Sequence, residues 1–287
     1  MKSFARPLRH LARMAVEGVR GSANPELRPF QAIRRETHGY LAAEVYLTLY
    51  RTALTAPDGM MIDIGPAQGG STICIGLGLR DSGREGPVYT IERFRNSGAL
   101  RSWDNQDLNV QVLRDNLARH DLSEQIVVLV GGVEEVYDQV PTERPVGLLF
   151  IDADGALDRD FRLFFNRLAD GAAIIVDDYH DVINRHARET YLKWTSRQEM
   201  ARYVANKGAE RFRDLCPLGK EYTTFRFLNH FLAEGLIERV DQIEKTVFAR
   251  KAKGARFDPV RHGGQLAEIR DAIEATYYEM RGGAFPD

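Results

Sequence analysis

In Met60-Met61-Ile62-Asp63-Ile64-Gly65-Pro66-Ala67-Gln68-Gly69-Gly70-Ser71, an apolar run with one acid inside it breaks at a glycine turn and passes directly into a helical pattern. A short run with no in/out alternation fits a strand buried on both faces, the habit of parallel sheets. The pattern recurs downstream. Strand-like runs at 88–91, 126–130, 146–151 and 172–176 alternate with helical stretches at 71–79, 106–119 and 158–168. Strand, helix, strand in succession implies right-handed crossovers and a parallel sheet. Residues 236–243 and 246–249 read as a strand pair with a tight connection, so the sheet is expected to end antiparallel. The expected fold is α/β, a doubly wound, mostly parallel, seven-stranded sheet.

Around this centre the chain divides into a helical cap (1–58), the α/β domain (59–255) with a helical insertion at 182–232, and a helical tail (256–287). The insertion carries ten Lys/Arg against five acids. That charge suits either a solvated face or a lid that attracts an anionic substrate. In the tail, Leu266, Ile269, Ile273, Tyr277 and Met280 form an apolar stripe that fits packing on the body or on a second subunit, so a homo-oligomer is an open expectation. Near the start, Lys2, Arg6, Arg9 and Arg13 precede the first acid. Leu8, Leu11, Ala15 and Val19 recur there at helical spacing, which favours a packed surface helix over a targeting one.

Length and composition bound the function. The 287 residues are 44% apolar, enough for one well-filled α/β domain with attached helices. The 39 basic and 41 acidic residues nearly cancel, which argues against a nucleic-acid coat or a membrane-surface protein. No apolar run approaches the roughly 20 residues that span a bilayer. Cys74 and Cys216 stand alone, so neither a disulfide framework nor a zinc site is expected, and a reducing, cytoplasmic setting is the default.

Ligands of open α/β sheets bind beyond the carboxyl ends of the strands, near the switch in strand order. There Asp63 offers a carboxylate to a cation, and Gly65 and Gly69, ahead of Ser71, let backbone approach a ligand. These features suit the amino-acid end of S-adenosylmethionine. Ala67 breaks the G-x-G-x-x-G pattern of a dinucleotide site. Glu92, at the end of the next strand, is placed to bind both ribose hydroxyls. Gly132 and Val133, after the third strand, offer a turn against the adenine.

The fourth strand ends Ile151-Asp152-Ala153-Asp154-Gly155 and the fifth ends Val176-Asp177-Asp178-Tyr179-His180. Two carboxylates about 5 Å apart repel by roughly 3 kcal/mol at an effective dielectric near 20. Four of them in one crevice demand protonation, outward rotation or a cation. All-oxygen ligands favour Mg²⁺, Mn²⁺ or Ca²⁺ over zinc; capping of the following helices is the bland alternative for Asp154 and Asp178.

With these motifs, residues 60–179 resemble the divalent-cation-dependent, S-adenosylmethionine-dependent O-methyltransferases of the catechol and caffeoyl-CoA type. The D-x-D followed by D-D-Y is most similar to the macrocin and mycinamicin group, which methylates deoxysugar hydroxyls. The resemblance implies a Rossmann-like methyltransferase fold, Asp152, Asp177 and Asp178 as metal ligands, and Asp154 as the base; a carboxylate among other acids can have its pKa raised, which suits that role. Asp152 is also expected to face the cofactor, and His180 is the second candidate base. The expected acceptor is a small-molecule hydroxyl, a sugar or another natural product. Gly155 departs from the catechol type, which carries a lysine three positions after the first metal aspartate. Rival readings are an NAD-dependent oxidoreductase on a related fold and a cofactor-binding scaffold without transfer activity. A nucleic-acid methyltransferase of the base-flipping kind is disfavoured, because no N/D-P-P-Y/F segment is present.

Overall fold

The computed structural model describes residues 24–94, 105–183, 188, 191–206, 209, 211–283 and 285. The basic N-terminal stretch with Leu8, Leu11, Ala15 and Val19 lies outside the described residues. The chain forms two compact units, one of Met1–Leu54, Ala67–Gly83 and Phe94–Ile126, the other of Thr55–Pro66, Arg84–Arg93 and Val127–Asp287.

The first unit is helical among its described residues: α1 (Arg28–Glu36), α2 (Ala43–Thr55), α3 (Gly70–Asp81) and α4 (Gln106–Arg119). Asn105 caps α4 by accepting from the Leu108 N–H at 3.0 Å. Gly69 precedes α3 at φ 96°, and a Cβ there would lie 2.5 Å from Leu113 Cδ1. Along α3, Gly78 lets the helix approach α2, since its Cβ would meet the Tyr50 carbonyl oxygen at 2.4 Å. The Asn116 amide, on α4, donates to the Gln68 carbonyl at 2.8 Å.

The second unit is organised by a seven-stranded sheet: β1 (Met60–Ile64), β2 (Val88–Glu92), β3 (Ile126–Val130), β4 (Val146–Ile151), β5 (Leu168–Val176), β6 (Ile237–Ile243) and β7 (Thr246–Lys251). Their order is β3-β2-β1-β4-β5-β7-β6. The pairs β1–β2, β1–β4 and β4–β5 are parallel, while β7 runs antiparallel to β5 and β6. Strand order reverses at β1, between β2 and β4, where a ligand crevice is expected in such sheets. All of β1 and β4 is buried, which is why β4 reads as an unbroken apolar run and β1 as one interrupted only by Asp63. This is the α/β Rossmann-like architecture expected from the sequence.

Among the described residues, differences are confined to element ends. The helix expected over 158–168 is α6 (Leu157–Phe164) followed by a 3₁₀ turn at Phe165–Arg167, and β5 begins at Leu168 rather than 172. The reason is tertiary. Asn166 exchanges hydrogen bonds with the Phe257 backbone at 2.8 and 2.9 Å, holding the helix end open, and Leu168 already pairs with Val146. α5 (Val133–Val136) follows β3, and within the 182–232 segment lies α7 (Arg197–Asn206); α8 (Lys220–Ala233) then leads into β6.

The stripe of the terminal helix α9 (Arg261–Arg281) is covered by its own chain. Leu266 joins the main core with Phe161, Phe227 and Phe231, whereas Ile273 and Tyr277 pack with Tyr191, Phe212 and Leu218. A bidentate pair between Arg270 and Asp158, at 2.6 and 2.7 Å, ties α9 to α6. Met280 remains exposed. Among the described residues no helix is long and apolar enough to cross a membrane.

Candidate active site

The parallel register of β1, β4 and β5 sets the geometry. Ile64 pairs with Ile151, and Ile151 with Val176. One residue further along, the Asp152 N–H donates to the Ile64 carbonyl at 2.9 Å and the Asp177 N–H to the Ile151 carbonyl at 3.0 Å. Adjacent strand tips thus carry their acids in step. Asp178 turns the chain at φ 60°, a left-handed conformation that Asp tolerates better than most residues. The Tyr179 N–H then bonds the Lys245 carbonyl at 2.8 Å and fixes that turn. As a result Asp152, Asp177 and Asp178 each present a carboxylate oxygen within 4.8 Å of the others.

Asp177 and Asp178 are buried and Asp152 is largely so. Burial pushes Asp152 up to about 7, against the pull of Lys220 and with help from Asp177. The Thr246 hydroxyl donates to Asp177 Oδ1 at 2.5 Å. Lys220, at the start of α8, pairs with Asp178 and lies 3.3 Å from Asp152 Oδ1. Lys245, in the turn between β6 and β7, pairs with the other Asp178 oxygen and lies 3.7 Å from Asp177 Oδ2. The crevice that Asp152, Asp177, Asp178 and Lys220 share with Ala153, Gly155, Leu157 and Thr224 has room for about one water-sized particle.

Asp154 is placed elsewhere. Its half-exposed carboxylate accepts a bidentate hydrogen bond from Arg159 at 2.9 and 3.2 Å and a third bond from the Ala156 N–H at 3.2 Å. Burial works to raise its pKa, but the Arg159 charge and hydrogen bonds outweigh it and hold the group below the usual carboxylate range. The expectation that crowding raises Asp154 is therefore corrected: its neighbour is a guanidinium, and it lies outside the triad. Arg159 also bonds the fully buried Asp160 at 2.8 Å. His180 is exposed, directly after the Asp177-Asp178-Tyr179 turn.

The residues expected to hold a cofactor fall in both units. In the second, Asp63 is fully buried within β1. Gly65, at φ 90°, lies so close to the next strand that a Cβ would meet the Asp152 carbonyl oxygen at 2.3 Å. Only glycine fits there. Glu92 ends β2 partly exposed and accepts from the Arg93 N–H at 2.7 Å, while Gly132 opens α5 and Val133 is buried. In the first unit, Gly69 precedes α3 and Ser71 is buried in its first turn.

Lys220, Lys245, Thr246 and Arg159 were not among the residues singled out from sequence. Lys220 has a particular bearing on the missing lysine at Gly155. A Cβ on Gly155 would stand 2.9 Å from Lys220 Cβ and 3.0 Å from Cys216 Sγ, and its φ is 81°. Space beside the first aspartate is filled by a lysine arriving from α8 instead.

A family model described as a methyltransferase domain matches residues 62–179, the span from β1 to the Asp177-Asp178-Tyr179 turn. Over that span the chain is similar to a methyltransferase domain. Two solved structures give the scale of the likeness. The O-methyltransferase TomG of Streptomyces achromogenes, involved in tomaymycin synthesis and solved with S-adenosylmethionine, is 14% identical with a TM-score of 0.52, over 83% of this chain and 96% of that one. An O-methyltransferase from Bacillus cereus, in complex with S-adenosylhomocysteine, is 17% identical with a TM-score of 0.50, over 83% and 97%. At such identities the likeness carries the fold. Within the matched span, the triad consists of two aspartates at the tip of β5 and one at the tip of β4.

Proposed function

We propose that this protein is an S-adenosylmethionine-dependent O-methyltransferase that uses a divalent cation, Mg²⁺ or a similar hard ion, to methylate a hydroxyl of a small molecule. The observation that carries the reading is the convergence of three carboxylate oxygens within 4.8 Å at adjoining strand tips. This donor set suits an oxygen-seeking ion, which keeps its remaining positions for water and acceptor oxygens. When bound, such an ion lowers the pKa of an acceptor hydroxyl and fixes its direction.

The chain's own residues do the rest. Asp152, Asp177 and Asp178 hold the ion, and the Thr246 hydroxyl orients Asp177. Asp63 takes the ammonium of the cofactor and Glu92 its ribose, while Gly65 and Gly69 permit close backbone approach, with Ser71 in the helix they lead into. Gly132 and Val133 border the adenine. Proton removal falls to Asp154 or His180. The Arg159 fork on Asp154 favours His180, because a carboxylate held ionised by a guanidinium is a weak proton acceptor. The D-x-D and D-D-Y pattern supports a sugar or similar natural product bearing adjacent hydroxyls as acceptor.

The test is methyl transfer from labelled S-adenosylmethionine to a panel of sugars, catechols and other vicinal diols, run with added Mg²⁺ and with excess EDTA. Transfer that needs the ion is expected. Full activity in EDTA would remove the cation from the mechanism. Calorimetry with S-adenosylhomocysteine against NAD separates this reading from an oxidoreductase.

A further inference from the structure

The triad is met by two ammonium groups from separate elements, and together they reach all three acids. Lys220 and Lys245 bracket Asp178, one on each carboxylate oxygen. The same two groups extend to Asp152 at 3.3 Å and to Asp177 at 3.7 Å. The two ammonium groups offset two of the negative charges that the three acids can carry.

We infer that Lys220 and Lys245 are built-in counter-cations that compete with a divalent ion for the triad, so that the ion enters only when at least one lysine leaves its oxygen. The inference rests on the cation reading above. Its physical basis is twofold. The oxygens an ion would take are already paired with ammonium groups, and an ion bound beside them would face Lys220 inside a crevice with room for about one water-sized particle and Lys245 on the other Asp178 oxygen. Both lysines are able to leave. Their side chains are 38% and 43% exposed, and a flexible four-carbon stem carries each well-hydrated charge into solvent. The chain thereby stays neutralised at this tip without an ion, and the affinity for one is set below what three free carboxylates would give.

The experiment is titration of the full chain with Mn²⁺, followed by calorimetry and by the Mn²⁺ paramagnetic resonance signal. K245Q and K220Q are each expected to tighten the Mn²⁺ Kd by about tenfold, because each removes one competing charge. K245R is expected to stay near the parent. D178N placed in the K245Q background should lose the site. Since the two lysines lie on different elements, one variant carries the test if the other does not fold, as judged by circular dichroism. If the parent binds Mn²⁺ and D177N does not, yet both lysine variants keep the parental Kd, the competition is disproved and the cation reading stands. A K245R that tightens as much as K245Q also disproves it, by tying the effect to shape and not charge. Absence of Mn²⁺ binding in the parent and in both lysine variants overturns the cation reading, and the inference with it.

Discussion

Two acidic groups lie within a few residues of each other on the β4 side of the sheet, and they are neutralised in different ways. At the strand tips, three aspartates are met by two lysines on long, partly exposed stems. Just beyond, Asp154 and Asp160 share one guanidinium, Arg159, whose side chain is only 12% exposed. A lysine contributes a mobile point charge. Arginine contributes a planar fork that fixes geometry and does not lose its proton. The first arrangement suits a place where another cation is to be admitted, the second a place where the loop after β4 is to be held onto α6. The D-x-D motif therefore divides between the two, Asp152 to the exchangeable group and Asp154 to the fixed one.

The sharpest way to break this contrast is to remove a carboxylate from the exchangeable group. Asp177→Asn should lower methyl transfer by about a hundredfold or more and abolish Mn²⁺ binding, while leaving the fold intact by circular dichroism. An Asn variant that keeps turnover would place the triad outside the chemistry. In the fixed group the same kind of lesion should read out as stability. Arg159→Ala leaves buried Asp160 without its cation and should cost about 3 kcal/mol in denaturant unfolding, with Asp154 adding little because it is half exposed. A loss below about 1 kcal/mol would mean that the fork is not structural.

Asp154→Asn probes the border between the groups. If Asp154 serves mainly to position the loop through Arg159, the variant should keep S-adenosylhomocysteine affinity and lose no more than about tenfold in turnover, whereas a general base would cost about a hundredfold to ten-thousandfold. The same measurement on His180→Ala decides which side chain takes the proton.

How far these groups were legible in the sequence differs for the same physical reasons. Parallel strands covered on both faces are predominantly apolar, so Met60–Ile64, with Asp63 as its one exception, and Val146–Ile151 announce themselves, and the acids that follow β4 and β5 stand out against them. Their convergence follows once β4 and β5 are neighbours. The lysines do not announce themselves. Lys220 lies 68 residues from Asp152 and Lys245 lies 67 from Asp178, and only the antiparallel pairing of β7 with β5 brings the β6–β7 turn to the tip of β5. In a basic insertion, Lys220 is one charge among ten. Arg159 was within reach of a local reading, five residues after Asp154 and adjoining Asp160. Acids at strand ends are met as readily by a cation from outside the chain, so the spacing alone does not assign Arg159 to them.

Asp160 offers the subtlest test of whether the fixed group is fixed in its protons as well. Its carboxylate is fully buried and Oδ2 is without a hydrogen-bond partner, so burial pushes it up to about 7 even though Arg159 pulls it down. An unfolded aspartate titrates near ~3.9. Between those values the folded chain holds more protons than the unfolded one, so Asp160 makes stability fall as pH rises from about 4 to 7 and contributes no further slope above that. Asp160→Asn removes the titration. The variant's stability, from urea unfolding at a series of pH values, should lose that decline and gain on the parent by about 2 to 3 kcal/mol between pH 5 and pH 8, whatever constant offset the lost Arg159 pair adds at every pH. If the variant instead runs parallel to the parent from pH 5 to pH 8, the guanidinium has won, Asp160 is ionised throughout, and Arg159 serves two charged carboxylates.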